Sequence, residues 1–471
     1  MAAAWDAFYH FFSWLILIYF VALNLSYILF TILSLIGIFR YQKLTTYVSF
    51  HDVFRLPLVK PISIIAPAFN EEATIVESVR ALLALEYPCY EVIIVNDGST
   101  DLTLEKLIRV FHLQKARRVF RRVLETKPIR GIYLSPDYPH LVVVDKVNGK
   151  KADALNAGLN ISRYPLFCAV DSDSLLEKDA LLKIVRPFLE EPDRLVAAGG
   201  IIRLSNGCTV ASGQVGQVRL PRNILARFQI VEYLRAFLGG RLGLSMLRSV
   251  LIISGAFGIF RKDIVLQCGG YRHGTVGEDL DLVVRMRRHL HNMHMPFSIR
   301  FIPDPICWTE APESLKLLAR QRNRWHRGLI DALSHNIHML FNPRYGVTGL
   351  VAMPFYFIFE MLGPFIEVGG YLVFLFCLIF GGLNYPFALL FFLVAVILGT
   401  LLSLLAVLLE EYSAYRYPRL GDILLIVLFS LLENVVYRQF LTVVRVKAFF
   451  DYWRGKEEWG RMTRKGFAEA R

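Results

Sequence analysis

Three acidic sites follow one another along the chain, and their residue types suit chemistry on an anionic substrate. They are Asp97 in VNDGSTD, the pair Asp171 and Asp173 in AVDSDSLL, and the pair Glu278 and Asp279 in VGEDLDL. Carboxylates bind hard divalent cations and also accept protons. The order of the sites therefore suggests metal-assisted transfer with a carboxylate base.

A fourth site combines an amide, a guanidinium and an indole. Gln321, Arg324 and Trp325 lie in ARQRNRWHRGL at positions i, i+3 and i+4, which share one face of a helix. An arginine forks onto phosphate oxygens, a glutamine hydrogen-bonds, and a tryptophan offers a flat surface to a sugar ring. This set suits a diphosphate beside a sugar.

Each acidic site also has a simpler interpretation. Asp97 precedes Gly98 and Ser99, as in an Asx turn that binds nothing. PAFNEE supports the functional interpretation, since its Asn70 ends an earlier strand. The loop that follows this strand and the loop of Asp97 open at the same sheet edge. There Asp97 would accept hydrogen bonds from a base or ribose.

The two acidic pairs differ in what they predict. Asp171 and Asp173 alternate at the end of an apolar strand, so both would face one side and share Mg²⁺ or Mn²⁺ with a diphosphate. Glu278 and Asp279 begin a helix, where acids are common for dipole reasons alone. Alternatively, the pair raises the pKa of one carboxyl, which then serves as a general base.

Two further segments carry candidate contacts. Lys151 in GKKADALNAGL begins a helix and would hold phosphate, although a surface lysine is the common alternative. Ser254 and Gly255 in SGAFGIFRKD are small enough to allow close backbone approach. They predict either a packing loop or a slot for an acceptor sugar.

An alternating strand and helix pattern must position these residues. The β-branched runs are Ile62–Ala66, Val92–Val95, Leu141–Val144 and Leu166–Val170. Such alternation predicts a parallel sheet that binds ligands beyond the carboxyl ends of its strands. The candidate residues follow these runs, as a site of this kind requires.

The chain of 471 residues, 55% of them hydrophobic, is too apolar for an ordinary soluble enzyme. The uninterrupted run Phe11–Phe39 exceeds the roughly 20 residues that cross a bilayer. Arg40 and Lys43 follow it, so the N-terminus is expected outside and the next domain in the cytoplasm. Pro364–Leu383 and Pro386–Leu409 are the other expected spans.

Two more apolar stretches are less regular. Gly346–Leu362 contains Pro354 and Glu360, so we expect an interfacial helix there. Leu420–Phe450 begins apolar and becomes charged, which favours an interfacial or re-entrant helix. Three spans are therefore predicted, and a fourth stays open.

The net charge of +13 fits contact with anionic lipid headgroups and a diphosphate. No zinc-finger spacing or nucleic-acid module accompanies it, so no nucleic-acid partner is expected. The six cysteines include no C-x-x-C pair, which predicts reduced thiols.

Taken in order, these motifs carry a specific resemblance. PAFNEE, VNDGSTD, KKADALN, DSD, SGAFGIFRKD, GED and QRNRW, with flanking apolar segments, resemble the membrane-embedded family 2 glycosyltransferases. That family includes synthases of cellulose, chitin oligomers, poly-N-acetylglucosamine and hyaluronan. The resemblance implies an α/β GT-A (Rossmann-like) catalytic domain in the cytoplasm, plus a transmembrane helix bundle with interfacial helices.

The resemblance also implies roles for individual residues. Asp97 would bind uridine, Lys151 the donor phosphates, and Asp171 and Asp173 the diphosphate and the Mg²⁺ or Mn²⁺ ion, with Asp173 the direct ligand. Asp279, beside Glu278, would be the catalytic base. Other donor contacts would come from Asn70, Gln321 and Arg324, and acceptor contacts from Trp325, Ser254 and Gly255. WGRMTRKG resembles a hyaluronan synthase segment, so Trp459, Arg461 and Arg464 would close over the donor; a basic juxtamembrane tail is the alternative.

The expected protein is an inverting hexosyltransferase that uses a UDP-sugar to extend and extrude a β-linked polysaccharide. One alternative is an enzyme that transfers a single sugar to a lipid or protein. The other is a catalytically silent scaffold or nucleotide-sugar sensor. Its expected partners are the donor, a growing glycan, the lipid bilayer and export or accessory subunits, and its expected location is the inner membrane. The expected domains are a transmembrane helix at 1–45, the catalytic domain at 46–310, the Q-x-x-R-W region at 311–345, further membrane helices at 346–450 and a basic tail at 451–471.

Overall fold

The structure, a computed structural model, describes residues 2–47, 59–211, 213–380, 384–413, 417 and 419–456. These residues form two compact units, each assembled from separate stretches of chain. The α/β unit contains the described residues of Arg40–Arg222 and Arg248–Ala311. The helical unit contains those of Met1–Phe39, Asn223–Leu247 and Pro312–Gly460.

Strands and helices alternate through the α/β unit. The strands are β1 (Ile62–Ala68), β2 (Tyr90–Asn96), β3 (Gln114–Ala116), β4 (Ile129–Leu134), β5 (Leu141–Lys146), β6 (Leu166–Val170), β7 (Leu175–Leu176), β8 (Leu195–Leu204), β9 (Val210–Ala211), β10 (Gln214–Val215), β11 (Phe257–Arg261) and β12 (Ser298–Thr309). The α-helices of the chain are α1 (Ala2–Tyr47), α2 (Ile75–Leu83), α3 (Thr103–Val110), α4 (Lys150–Ile161), α5 (Ala180–Glu190), α6 (Ile224–Leu234), α7 (Leu242–Met246), α8 (Lys262–Gln267), α9 (Glu278–Asn292), α10 (Leu315–His335), α11 (Met353–Phe355), α12 (Gly363–Phe380), α13 (Tyr385–Phe392), α14 (Gly399–Ser413), α15 (Leu420–Leu432) and α16 (Arg438–Trp453).

One mixed sheet is the frame of the α/β unit. Its strand order is β3-β4-β5-β2-β1-β6-β11-β8-β12-β7, and β9 pairs separately with β10. Strands β5, β2, β1 and β6 run parallel, which confirms the predicted parallel core. Their residues are almost all buried, as expected for β-branched runs inside an α/β fold.

Close packing fixes the helices on this sheet. Helix α4 packs on β1 and β2, while α5 packs on β8 and β12. Gly158 of α4 lies directly against Ile65 of β1, where any larger side chain would overlap that isoleucine. This contact sets the position of α4, whose first turn carries Lys151.

The register between β6 and β11 brings two distant loops together. The two strands are antiparallel, with Phe257 opposite Val170. The loop that precedes β11 therefore lies at the same edge as the loop that follows β6. Ser254 and Gly255 are in the first loop, and Asp171 and Asp173 are in the second.

In the helical unit, three helical stretches of the described chain are long and apolar enough to cross a bilayer: His10–Lys43, Thr348–Phe380 and Tyr385–Ser413. Leu420–Val435 and Arg438–Trp453 make a further candidate that is bent by 49°. The stretch Gly346–Leu362, for which an interfacial helix is predicted, continues into α12, and its place at the membrane interface stays a prediction. Pro354 cannot donate a helical hydrogen bond, and π-helical turns at Thr348–Ala352 and Tyr356–Met361 flank it.

The segment 223–247 belongs to the helical unit, although it lies inside the sequence range expected for the catalytic domain. Gly243 backs directly onto Phe30 of α1, with no room for a side chain. Phe228 stacks on Tyr437 with ring centres 5.1 Å apart. These long-range contacts determine where the segment packs, and local sequence does not encode them.

Ion pairs lie among the apolar helices. Each joins an arginine to a glutamate from a different stretch of the unit: Arg235 to Glu433 at 2.9 Å, Arg322 to Glu232 at 2.6 Å, Arg438 to Glu367 at 2.6 Å and Arg445 to Glu360 at 3.7 Å. Charged side chains in such surroundings are stable only when they are paired.

Candidate active site

The candidate site of the α/β unit lies at the carboxyl ends of the four parallel strands. Asn70 follows β1, Asp97 follows β2, Lys146 ends β5 and Asp171 follows β6. Since these strands are neighbours in the sheet, their ends meet at one edge. This placement unites predicted residues that are up to 101 positions apart in sequence.

Asn70 connects two loops at this edge. Its backbone lies in the left-handed region with φ 55°, which asparagine tolerates. Its side-chain Oδ1 accepts a hydrogen bond from the Thr100 backbone amide at 2.8 Å, and its backbone amide donates to Ser99 Oγ at 3.0 Å. The side chain predicted to bind the donor therefore also fixes the loop that carries Asp97.

Asp97 is anchored through one of its two oxygens. Its Oδ1 accepts hydrogen bonds from Lys146 Nζ at 2.7 Å and from the Gly149 amide at 3.0 Å. Burial raises the pKa of Asp97, although Lys146 and the Gly149 amide oppose this shift. Within the described chain we find no hydrogen-bond donor on Oδ2, which leaves that oxygen for a ligand.

Lys146 is a site residue that sequence reasoning missed. It is fully buried, and its Nζ contacts Asp97 at 2.7 Å, Asp153 at 2.5 Å and the Val147 carbonyl at 2.6 Å. A lysine at the end of VVVDK resembles a solvated strand end. The available signal was its position at a strand end where carboxylates were already expected.

Lys151 is the centre of the acidic cluster. Its Nζ lies 2.6 Å from Asp171 Oδ1 and 3.0 Å from Glu278 Oε1. Burial alone would lower the pKa of Lys151, but Asp171, Glu278 and Asp279 outweigh burial and raise it. The ammonium therefore stays charged among three carboxylates that come from two separate motifs.

Asp279 is held beside this cluster by backbone amides. Its Oδ2 accepts from the Gly255 amide at 3.0 Å, and its Oδ1 accepts from the Leu280 amide at 2.9 Å. A Cβ on Gly255 would lie 2.9 Å from Lys151 Nζ, so a larger residue here would require the Lys151 ammonium to shift. Ser254 lies in the adjoining turn, where its carbonyl accepts from the Phe257 amide at 3.1 Å.

The loop before α9 is clamped to α4. The buried Asn156 side chain donates from Nδ2 to the Tyr271 carbonyl at 2.8 Å and accepts from the Tyr271 amide at 2.8 Å. Both bonds are made by one amide group, so it orients the backbone that leads to Glu278 and Asp279. The KKADALN motif thus contributes Lys151 to the cluster and Asn156 to its support.

Asp171 and Asp173, the predicted metal ligands, both follow β6. The Asp171 side chain is about one third exposed, whereas Asp173 is nearly buried. Among the described residues, no three His, Cys, Asp or Glu side chains form a cluster that could hold an ion by themselves. Two carboxylates fit Mg²⁺ or Mn²⁺ if a bound diphosphate completes the oxygen shell.

The Q-x-x-R-W residues lie on α10 of the helical unit. Gln321 Oε1 accepts from Arg322 Nη1 at 2.8 Å, which leaves the amide nitrogen of Gln321 to donate to a ligand. Arg324 is half-buried, and Trp325 is 42% exposed. Arg322 was not among the predicted site residues. Trp459, Arg461 and Arg464, the predicted closing segment, lie outside the described residues.

Comparison with known proteins gives one family. The chain matches the family described as glycosyltransferase like family 2 over residues 60–328. It is 28% identical over 271 residues to a poly-β-1,6-N-acetyl-D-glucosamine synthase of Staphylococcus epidermidis, covering 57% of this chain and 55% of that protein. A synthase of the same description from Staphylococcus aureus is 28% identical over 268 residues, with 57% and 54% covered. The chain thus spans about half the length of the curated relatives it matches.

A solved structure shares the fold. A mannosyltransferase from Pyrobaculum calidifontis, in complex with GDP-Man and Mn²⁺, superimposes with a TM-score of 0.51 at 15% identity. The match covers 90% of this chain and 99% of that one. It confirms the predicted GT-A fold and, at this identity, nothing about substrate.

Proposed function

Because this chain belongs to the glycosyltransferase like family 2, we propose that it transfers a sugar from a nucleotide donor to a glycan. One observation carries the proposal: Lys151 lies between Asp171 and Glu278, with Asp279 held beside them, at the ligand-binding edge of a GT-A sheet. A cation and a carboxylate base side by side suit an anionic leaving group next to a hydroxyl nucleophile.

The donor in this proposal is a UDP-sugar. Asp97 Oδ2 accepts a hydrogen bond from the uridine, while Asn70 keeps the loop of Asp97 in place. Lys151 turns from Asp171 and Glu278 toward the donor phosphates. The ammonium then neutralises charge that grows on the departing diphosphate.

Asp171 and Asp173 would hold the divalent metal together with the diphosphate. Bound there, Mg²⁺ or Mn²⁺ supplies further positive charge to the leaving group. The Mn²⁺ in the similar mannosyltransferase complex supports a divalent ion in this fold. Glu278 is predicted to be catalytic alongside Asp279. It is buried against Lys151, so we propose that its role is to orient that lysine.

Inverting transfer follows from one displacement. The acceptor hydroxyl oxygen attacks the anomeric carbon from the face opposite the diphosphate. The bond from that carbon to the phosphate oxygen breaks, and UDP leaves with the electron pair. Asp279 takes the hydroxyl proton, since both of its oxygens are oriented by backbone amides. An α-linked donor then gives a β-linked product.

Of the residues predicted to contact the acceptor, Ser254 and Gly255 belong to the α/β unit and Trp325 to the helical unit. In this proposal Trp325 stacks on an acceptor sugar, and Gln321 and Arg324 donate hydrogen bonds to phosphate oxygens. The names of the relatives support a polymer of N-acetylglucosamine made by repeated transfer. We therefore propose processive synthesis, with UDP-N-acetylglucosamine as the first donor to test.

We also propose that the chain is a multi-pass protein of the inner membrane, with the α/β unit in the cytoplasm. Three apolar helical stretches and the basic residues Arg40 and Lys43 at the end of the first of them support this orientation. The product would then enter the membrane where it is made.

Radiolabelled UDP-sugars with purified protein in detergent test the proposal. We expect UDP release and a polymer from one UDP-sugar of the panel. Release of UDP with a product one sugar longer would replace the polymerase by a single transfer. Binding of UDP-sugars without any UDP release, with N-acetylglucosamine oligosaccharides present, would contradict the activity.

A further inference from the structure

Arg322 is the most buried member of the Q-x-x-R-W segment. It is 2% exposed, although Trp325 on the same helix is 42% exposed. Its Nη1 donates to Gln321 Oε1 at 2.8 Å, and its Cζ lies 4.2 Å from the centre of the Trp325 ring. One guanidinium therefore contacts two side chains that the proposed function assigns to substrate.

Glu232 fixes that guanidinium from another part of the chain. It lies on α6, and its Oε2 accepts from Arg322 Nη2 at 2.6 Å. The same oxygen accepts from Tyr437 Oη at 2.7 Å, so the carboxylate is itself oriented. Together, Arg322 and Tyr437 keep Glu232 ionised, and its pKa lies below the usual value despite burial.

The geometry of arginine matters for this arrangement. A guanidinium is planar and has several donors, so one group donates to Gln321 and Glu232 while its carbon lies over the indole of Trp325. A lysine supplies the charge without a plane. A sugar platform binds best when its ring is already fixed, because ordering a mobile side chain on binding costs affinity.

We infer that Arg322, oriented by Glu232, is a positioning residue that fixes Trp325 as the acceptor platform. The inference rests on the acceptor role proposed for Trp325. It adds a residue at one of the two unspecified positions of the Q-x-x-R-W pattern and an anchor 90 positions earlier in the chain. Arg322 covers one side of the indole and leaves the exposed part of the ring for the sugar.

Arg322→Lys tests this inference, with Arg320→Lys on the exposed part of the same helix as the matched control. The assay uses UDP-N-acetylglucosamine and short N-acetylglucosamine oligosaccharides. We expect Arg322→Lys to raise the KM for the oligosaccharide about tenfold, as for the loss of a desolvated cation–π contact, and to shorten the product. The donor KM should change less than about twofold, because the lysine ammonium can still donate a hydrogen bond to Gln321. Arg320→Lys should match the wild type.

A second readout does not depend on turnover. Oligosaccharide binding should alter the tryptophan fluorescence of the wild type, and Trp325→Phe identifies the part due to Trp325. Arg322→Lys should weaken this change. Glu232→Gln keeps a hydrogen-bond acceptor and should weaken the fluorescence change in the same way. It replaces Arg322→Lys as the test if that variant unfolds.

The outcomes separate the inference from the proposed function. A wild type that transfers sugar, with an unchanged oligosaccharide KM and product length in Arg322→Lys and Glu232→Gln, would overturn the positioning role. An equal rise of donor and acceptor KM would also overturn it, because that pattern indicates general damage to the fold. A wild type without UDP release on any UDP-sugar would instead overturn the proposed function.

Discussion

Replacing Lys151 by methionine removes the ammonium and keeps most of the side-chain stem. Asp171 and Glu278, at 2.6 and 3.0 Å from Nζ, then face each other without a cation. Breaking a buried pair costs about 3–5 kcal/mol, and an exposed pair contributes below about 1 kcal/mol. Since the Glu278 side chain is 7% exposed and that of Asp171 is 32% exposed, we expect a loss of about 2 kcal/mol in the free energy of unfolding.

The loss of donor affinity is a separate effect. A hydrogen bond to a charged group contributes about 1.5–3 kcal/mol, so UDP should bind about 10–100-fold more weakly. Turnover should fall about 10²–10³-fold, as for the loss of one group that stabilises the leaving charge. Calorimetric titration with UDP and Mn²⁺ measures the first quantity, and radiolabelled transfer measures the second.

A matched double variant separates stability from binding. Lys151→Met with Glu278→Gln removes the unpaired buried carboxylate, so the thermal midpoint should recover most of its fall of about 4–8 °C. UDP affinity should stay low, because the phosphate contact is still missing. If the double variant regains wild-type UDP affinity, Lys151 acts only through the fold. If Lys151→Met alone binds UDP within about twofold of the wild type, below the smallest loss expected for a charged hydrogen bond, the donor role is wrong.

Three further outcomes follow from the site. Asp279→Asn removes the proton acceptor, so it should lower kcat by about 10²–10⁴-fold with little change in UDP affinity. Single-turnover assays check this prediction. Turnover near that of the wild type would exclude Asp279 as the base. Burial raises the pKa of Asp97 above its ordinary value, so UDP affinity should fall as the pH drops through that raised pKa. Asp97→Asn should bind UDP weakly and without this pH dependence. The same pH profile of UDP affinity in both proteins would refute the contact. Gly255→Ala places a Cβ 2.9 Å from Lys151 Nζ, so its UDP affinity, measured by titration, should fall about tenfold. The control variant Ser254→Ala should bind UDP as the wild type does. Unchanged UDP binding in Gly255→Ala would mean that Lys151 moves aside freely.

The sheet and its active edge follow from local pattern. Runs such as Leu141–Val144 are typical of buried strands, and helices between them favour a parallel order. Parallel order places the ends of these strands at one edge. Asn70, Asp97 and Asp171 could therefore be grouped from sequence, and the structure places them there.

What the sequence did not predict depends on partners far away in the chain. Lys146 is buried because Asp97 and Asp153 surround it, and its position at a strand end was the one signal for this in the sequence. Arg322 is one of several arginines in its segment, and only Glu232 on α6 selects it. The same holds for the ion pairs of the helical unit, which appear in sequence as isolated charges that interrupt apolar helices.

The interleaved order of the two units has a consequence for synthesis. Because the chain passes from one unit to the other after Phe39, Arg222, Leu247 and Ala311, neither unit is contiguous. Helix α1 is translated before the other described elements, yet its unit also needs segments made from residue 312 onward. The sheet cannot close until β12 has been translated, since β12 lies between β8 and β7. A truncated messenger that ends between these points would yield a chain with no finished unit, exposed to quality-control proteolysis.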